Sequence, residues 1–116
     1  MQLSERNDAE ILAVVDPIMD RLMEGSNRID HAMHVGDFTE RLKSMVSEAG
    51  LERMCTDFQS RFGLFSHREL LAILRRRDSV AIVWRQFATE TDDEFVADIV
   101  LVEKDGRYLV DHALVY

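Results

Sequence analysis

A single cysteine, Cys55, leaves this chain without any internal disulfide framework and points to a reducing compartment. Cys55 falls within an apolar helical pattern, so it reads as a small buried side chain rather than a nucleophile. Proline occurs once, at Pro17, and there is no Pro/Ser-rich linker, internal repeat or low-complexity stretch. One domain spanning residues 1–116 is therefore expected. No apolar run approaches the ~18 residues a membrane span requires. The N-terminal segment carries acidic residues and no signal-peptide apolar stretch, so a cytoplasmic protein without a membrane role is expected. A basic excess is missing too. The net charge of −8 divides as −5 over residues 1–62 and −3 over 63–116, which argues against nucleic acid as a partner. The one basic cluster is Arg75-Arg76-Arg77, beside Asp78. It reads as a solvated strand edge that resists edge-to-edge pairing; a grip on a phosphate or carboxylate is the alternative.

What the chain does have is apolar content, 47%, arranged in two different periods. The segments Ser79–Thr89, Glu94–Glu103 and Arg107–Tyr116 are rich in Val, Ile, Phe and Trp, which suit a pleated surface. Asp105-Gly106 between the last two is a strong hairpin signal, because a type I′ turn needs positive φ at both central residues. Asp92-Asp93 is expected to close the preceding hairpin. Leu70–Arg76 supplies a further strand or, on composition, a helix.

Before the meander the period is helical. Ile11, Leu12, Val15, Ile18, Met19 and Leu22 follow a spacing near 3.6. Asp16-Pro17 interrupts it, so either a kinked helix runs from Asp8 to Glu24 or a new one starts at Pro17. Gly25-Ser26-Asn27 is expected to end it. Asp30 caps a short helix closed by Gly36, Asp37 caps a third segment, and Ser47 starts a fourth with Leu51, Met54, Cys55, Phe58 and Phe62 as its apolar stripe. The fold class is thus α+β, with three to four N-terminal helices packed on one face of a curved antiparallel meander.

The order of elements, with Pro17-Ile18-Met19-Asp20-Arg21-Leu22-Met23-Glu24-Gly25, Gly36-Asp37-Phe38, Phe62-Gly63-Leu64-Phe65 and Val102-Glu103-Lys104-Asp105-Gly106-Arg107-Tyr108, resembles the nuclear transport factor 2-like superfamily, a cone-shaped, cystatin-like α+β roll. It is similar to a branch of small bacterial and archaeal members without assigned activity. The resemblance covers nearly the whole chain, but its motifs are caps, turns and core positions. It implies fold far more than chemistry. The superfamily includes ketosteroid isomerases, polyketide cyclases, dehydratases and transport factors.

Two-residue loops at Asp105-Gly106 and Asp92-Asp93 fix an expected register: Lys104 faces Arg107, Leu101 faces Val110, Ile99 faces His112, Val100 faces Asp111 and Arg85. One face then carries Ile82, Trp84, Gln86, Phe95, Ala97, Ile99, Leu101, Tyr108, Val110, His112, Leu114 and Tyr116. It is expected to pack under the helices, and the resemblance implies that it lines a pocket. Pocket candidates are Trp84, Gln86, Tyr108, His112, Tyr116 and His34. The other face carries Val83, Arg85, Phe87, Asp98, Val100, Asp111 and Ala113, the dimer-interface candidates, with Arg85 expected to bridge Asp98 and Asp111. His31, His34 and Asp37 form an HxxHxxD pattern, but Gly36 ends the helix before Asp37 joins the histidine face. No metal and no cofactor is expected.

Isomerase members of the superfamily place a tyrosine on the first helix; here both tyrosines lie in the final strand. The leading reading is a non-catalytic homodimer that binds a small hydrophobic ligand or has a filled cone. A lyase or isomerase with His112 as base, and a protein-interaction module using the sheet face, are the alternatives.

Overall fold

The computed structural model describes residues 2–116. After a short 3-10 turn at Leu3–Glu5 come α1 (Asp8–Arg28), α2 (His31–His34), α3 (Glu40–Lys43) and α4 (Glu48–Phe62). Four strands complete the chain: β1 (Phe65–Arg75), β2 (Val80–Ala88), β3 (Phe95–Lys104) and β4 (Arg107–Val115). They form one antiparallel sheet in the order β1-β2-β3-β4. The helices lie on its inner face, giving the α+β arrangement that the sequence pattern implies.

Helix α1 opens with a capping box in which Asn7 and Glu10 satisfy each other's backbone N–H groups. It runs unbroken through Pro17, so no new helix starts there. An internal proline costs ~3 kcal/mol. Ile11, Val15, Ile18, Met19, Leu22 and Met23 all bury on one stripe, before and after the proline. At ~1.5–3 kcal/mol for each large side chain, that burial outweighs the break. The helix also passes the expected Gly25-Ser26-Asn27 stop and ends at Ile29, which takes a left-handed conformation at φ 52°. At the opposite end of the helical layer the third cap is Thr39 rather than Asp37. Asp37 is held instead by Arg21, at 3.0 and 3.2 Å.

Asp105 and Gly106 both have positive φ, 52° and 77°, as a type I′ turn requires. Lys104 then faces Arg107 and Leu101 faces Val110. Beyond that point the register departs from the regular ladder. Val100 faces His112 and Ile99 faces Ala113, leaving Asp111 as the extra residue of a β-bulge. Its side chain is spoken for: Thr39 Oγ1 donates to Asp111 Oδ1 at 2.7 Å, and Arg41 Nε reaches the same oxygen at 3.1 Å. A second guanidinium N–H of Arg41 donates to the Asp111 carbonyl. The segment before α3 also pairs along the edge of β4, with Val110 N–H on Asp37 O at 2.7 Å and Thr39 N–H on Val110 O at 2.9 Å.

The bulge inverts the last third of β4. His112, Leu114 and Tyr116 face outward, and Ala113 and Val115 face inward, the reverse of the regular-ladder expectation. The β2–β3 register also differs. Arg85 lies opposite Val96, not Val100, because the connection is residues 89–94 rather than a tight turn at Asp92-Asp93. That shift is an even number of residues, so each side chain of β2 and β3 keeps its face. Of the Leu70–Arg76 segment, residues 70–75 are strand, not helix, and belong to β1. Arg68 and Arg75 on β1 reach back to Asp20 and Asp8 of α1, at 2.8 and 2.6 Å.

One glycine on α1 is fixed by packing. A Cβ on Gly25 would lie 2.5 Å from the backbone N of His34 and 2.7 Å from its Cα. Gly25→Ala gains ~1 kcal/mol of helix propensity but forces α2 off α1, an overpacking cost of ~1–3 kcal/mol. We expect a net loss on urea denaturation; a midpoint at or above wild type would show that α2 does not rest on this helix.

Candidate functional site

A cavity of about 290 Å³ lies between α1, α2, α4 and the β3–β4 end of the sheet. The sequence dictates its walls. Met19, Leu22 and Met23 come from the buried stripe of α1, Cys55 and Phe58 from the matching stripe of α4, and Phe38 from the segment that pairs with β4. Ile99, Ala113 and Val115 form the floor, the last two only because of the bulge. Met54, at 61% exposure, and Leu114, at 50%, mark its open side.

Of the six pocket candidates the cavity takes one, His34. Trp84 and Gln86 do face inward, but they are sealed in the core at 2% and 0% exposure. Tyr108 is half-buried against that core. His112 and Tyr116 lie outside, on the face that the bulge turns to solvent. Conversely Ala113, an expected interface residue, lines the cavity. Asp111 leaves the outer face for Thr39 and Arg41. Val83, Arg85, Phe87, Asp98 and Val100 do share the outer face, half-buried. Arg85 there bridges Glu94 at 2.7 Å and Glu69 at 3.7 Å, not the two aspartates.

His34 is held by its neighbours. Its Nδ1 lies 3.0 Å from Ser26 Oγ, and the Ser26 hydroxyl also donates to Leu22 O at 3.1 Å. A hydroxyl has one proton, so with that proton on Leu22 O the imidazole donates Nδ1–H to Ser26. The ring sits edge-on to Phe38 with centroids 5.3 Å apart. Burial is the main cause that pushes the His34 pKa below the ordinary histidine value; the Leu22 carbonyl opposes it and His31 adds to it. Burial likewise raises the Cys55 thiol, which disfavours a reactive thiolate.

The HxxHxxD residues go three separate ways: His31 to Val46 O at 2.7 Å, His34 to Ser26, Asp37 to Arg21. Among the described residues no three His, Cys, Asp or Glu side chains converge as a metal site would need. His112 has a partner that the regular-ladder register conceals. Its Nε2 is 2.7 Å from Asp98 Oδ1, two residues brought side by side only by the bulge. His112 lies on the outer face and does not line the cavity, whereas Asp98 also borders it.

Asn27 and Gln86 position the wall at the other end. Asn27 Nδ2 donates to Phe65 O at 3.0 Å, and Phe65 N–H donates to Asn27 Oδ1 at 2.9 Å. The Gln86 amide lies within hydrogen-bond distance of the carbonyls of Ser66, His67 and Phe87, beside an irregular step in β1. Its Oε1 is buried without a partner among the described residues.

No protein-family model and no curated protein sequence matches the chain. Solved structures do. A structure from Thiobacillus denitrificans, described as a calcium/calmodulin-dependent protein kinase type II association domain, aligns with TM-score 0.63 at 12% identity over 86% of this chain and 91% of that one. A nuclear transport factor 2-like protein of unknown function from Shewanella baltica OS155 aligns with TM-score 0.59 at 10% identity over 97% of both chains. Another from Shewanella oneidensis MR-1 gives 0.55 at 11% identity over 90% of this chain and 97% of that one. With four helices preceding a curved four-stranded meander, the chain has the nuclear transport factor 2-like fold.

Proposed function

We propose that the chain is a homodimeric binding domain that holds one small apolar molecule in the cavity above β3 and β4, without turning it over. The cavity itself carries this reading: about 290 Å³, walled by methionine and phenylalanine, is close to the lower limit of ~300 Å³ for ligand pockets. A binding role suits it better than catalysis, because the cavity histidine is tied to Ser26 and the outer histidine faces away. Buried Cys55 suits a reducing compartment, and a cytoplasmic setting is part of the proposal. No described helix is long and apolar enough to cross a membrane.

Self-association rests on the outer face. Val83, Val96, Val100, Val102 and Leu109 are half-buried there, and Leu74 and Leu114 are exposed. The charges among them are matched within the subunit, Arg85 with Glu94 and His112 with Asp98. A second copy would therefore meet apolar surface rather than repulsion, and one patch used twice is the simplest closed assembly. The likeness to a structure described as an association domain supports the same reading.

Native mass spectrometry of protein purified without denaturation should find a dimer with a small molecule retained. Ala113→Phe, which fills the cavity from its floor, should abolish retention while the fold persists. An empty wild-type protein, or equal retention in the variant, would reject the cavity as the site. In light scattering across a concentration series, wild type should be dimeric and Val100→Glu monomeric; a wild-type monomer throughout rejects the interface.

His34 ties the site to pH. Its folded pKa is lowered, so the unfolded chain binds the proton more readily. The stability that the neutral ring contributes is complete above the unfolded value of ~6.5 and is lost as pH falls from there toward the folded pKa. His34→Met should flatten that part of the stability profile, read as wild type minus variant; parallel profiles would contradict the assignment.

A further inference from the structure

Given that the cavity binds a ligand, we infer that its occupant is a neutral aromatic molecule of one or two rings bearing a single N–H or O–H donor, and that His34 selects it. Three independent observations lead there. The first is electrostatic. No lysine or arginine lines the cavity, while Asp57 and Asp98 do, in a chain of net charge −8. A carboxylate or phosphate entering it would shed water and find no cation.

The second is the inventory of polar groups. Asn27 uses both ends of its amide on the Phe65 backbone. Gln59 spends its Nε2 on the carbonyls of Ser26 and Asn27. Asp57 is paired with Arg61, and Asp98 with His112. With the Ser26 proton on Leu22 O, Ser26 receives that of His34 Nδ1. The neutral imidazole then presents a lone pair at Nε2, which has no partner among the described residues. A hydrogen-bond acceptor that the protein leaves open calls for a donor on the ligand.

The third is shape and softness. Phe38, Phe58 and Phe65 line the cavity with Met19, Met23 and Met54. Thioethers pack well at aromatic edges, and phenyl rings accept a further ring in tilted geometry. A cavity of about 150 Å³ holds one benzene ring; about 290 Å³ has room for a second fused ring.

Three probes of nearly equal shape separate these points: indole, benzofuran, which lacks the N–H, and indole-2-carboxylate, which adds the anion. Each is titrated into protein carrying 13C-methyl methionine, so that Met19, Met23 and Met54 report the site directly. Indole should bind ~10-fold more tightly than benzofuran, the scale of one hydrogen bond. The carboxylate should bind more weakly than either. In His34→Leu the indole-to-benzofuran ratio should fall to about one. The 15N resonances of His34 in the wild-type protein give a readout that does not depend on a variant folding: Nε2 should appear unprotonated and shift with indole but not with benzofuran. If none of the three perturbs the methionines, the binding-site reading fails. If they bind but benzofuran matches indole, the carboxylate binds best, or His34 is protonated at Nε2, the site stands and this ligand class is overturned.

Discussion

The hydrogen bond from the Thr39 hydroxyl to the Asp111 carboxylate, with Arg41 on the same oxygen, holds the β4 bulge on which the cavity depends. A carboxylate that accepts from a hydroxyl and a guanidinium is held in its charged form, and the Asp111 pKa is lowered, first by Thr39. The bulge removes Asp111 from the ladder and turns the rest of β4 over by one residue. Small Ala113 thereby becomes the cavity floor where a histidine would otherwise have stood. His112 moves outside and meets Asp98. One unpaired residue thus decides both the volume of the site and the chemistry of the opposite face.

The end of α1 does comparable work with three consecutive residues. Gly25 admits α2 at backbone contact, Ser26 orients the His34 ring, and Asn27 grips the first residue of β1. Each uses a different property: the missing Cβ, a hydroxyl with one proton, an amide with a donor and an acceptor. Helix, cavity and sheet edge are therefore set relative to one another within one turn. This is also why the helix continues through a Gly-Ser-Asn run that reads locally as a stop. Tertiary contacts outweigh the local propensity.

Fold class was legible because it rests on repeated signals. The alternation over residues 79–89, 94–103 and 107–110, the Asp105-Gly106 turn and the stripe from Ile11 to Leu22 all point one way. The faces of β2 and β3 were legible even with the wrong loop, because an even register error changes no face. The cavity was not. Its floor depends on a bulge stabilised by residue 39 acting on residue 111, and no local pattern in Leu109–Tyr116 announces it. Asp37 hid it further, since a capping aspartate looks plausible where Thr39 does the capping and Arg21 takes the acid. The methionines of α1 and α4 stood in plain view as core residues. Nothing in their spacing separates a wall with space beside it from one without.

Among the four strands each pairs only with its neighbours in sequence, so the sheet is built through short connections. Contacts close in sequence cost little loop entropy and form early, whereas distant ones wait. In this chain the contacts of Thr39 and Arg41 with Asp111, Arg75 with Asp8, and Arg68 with Asp20 span 72, 70, 67 and 48 residues. The topology favours a meander that assembles first and a helical layer that docks afterwards. The cavity lies at the seam between these two parts, where its walls come from segments far apart in the chain.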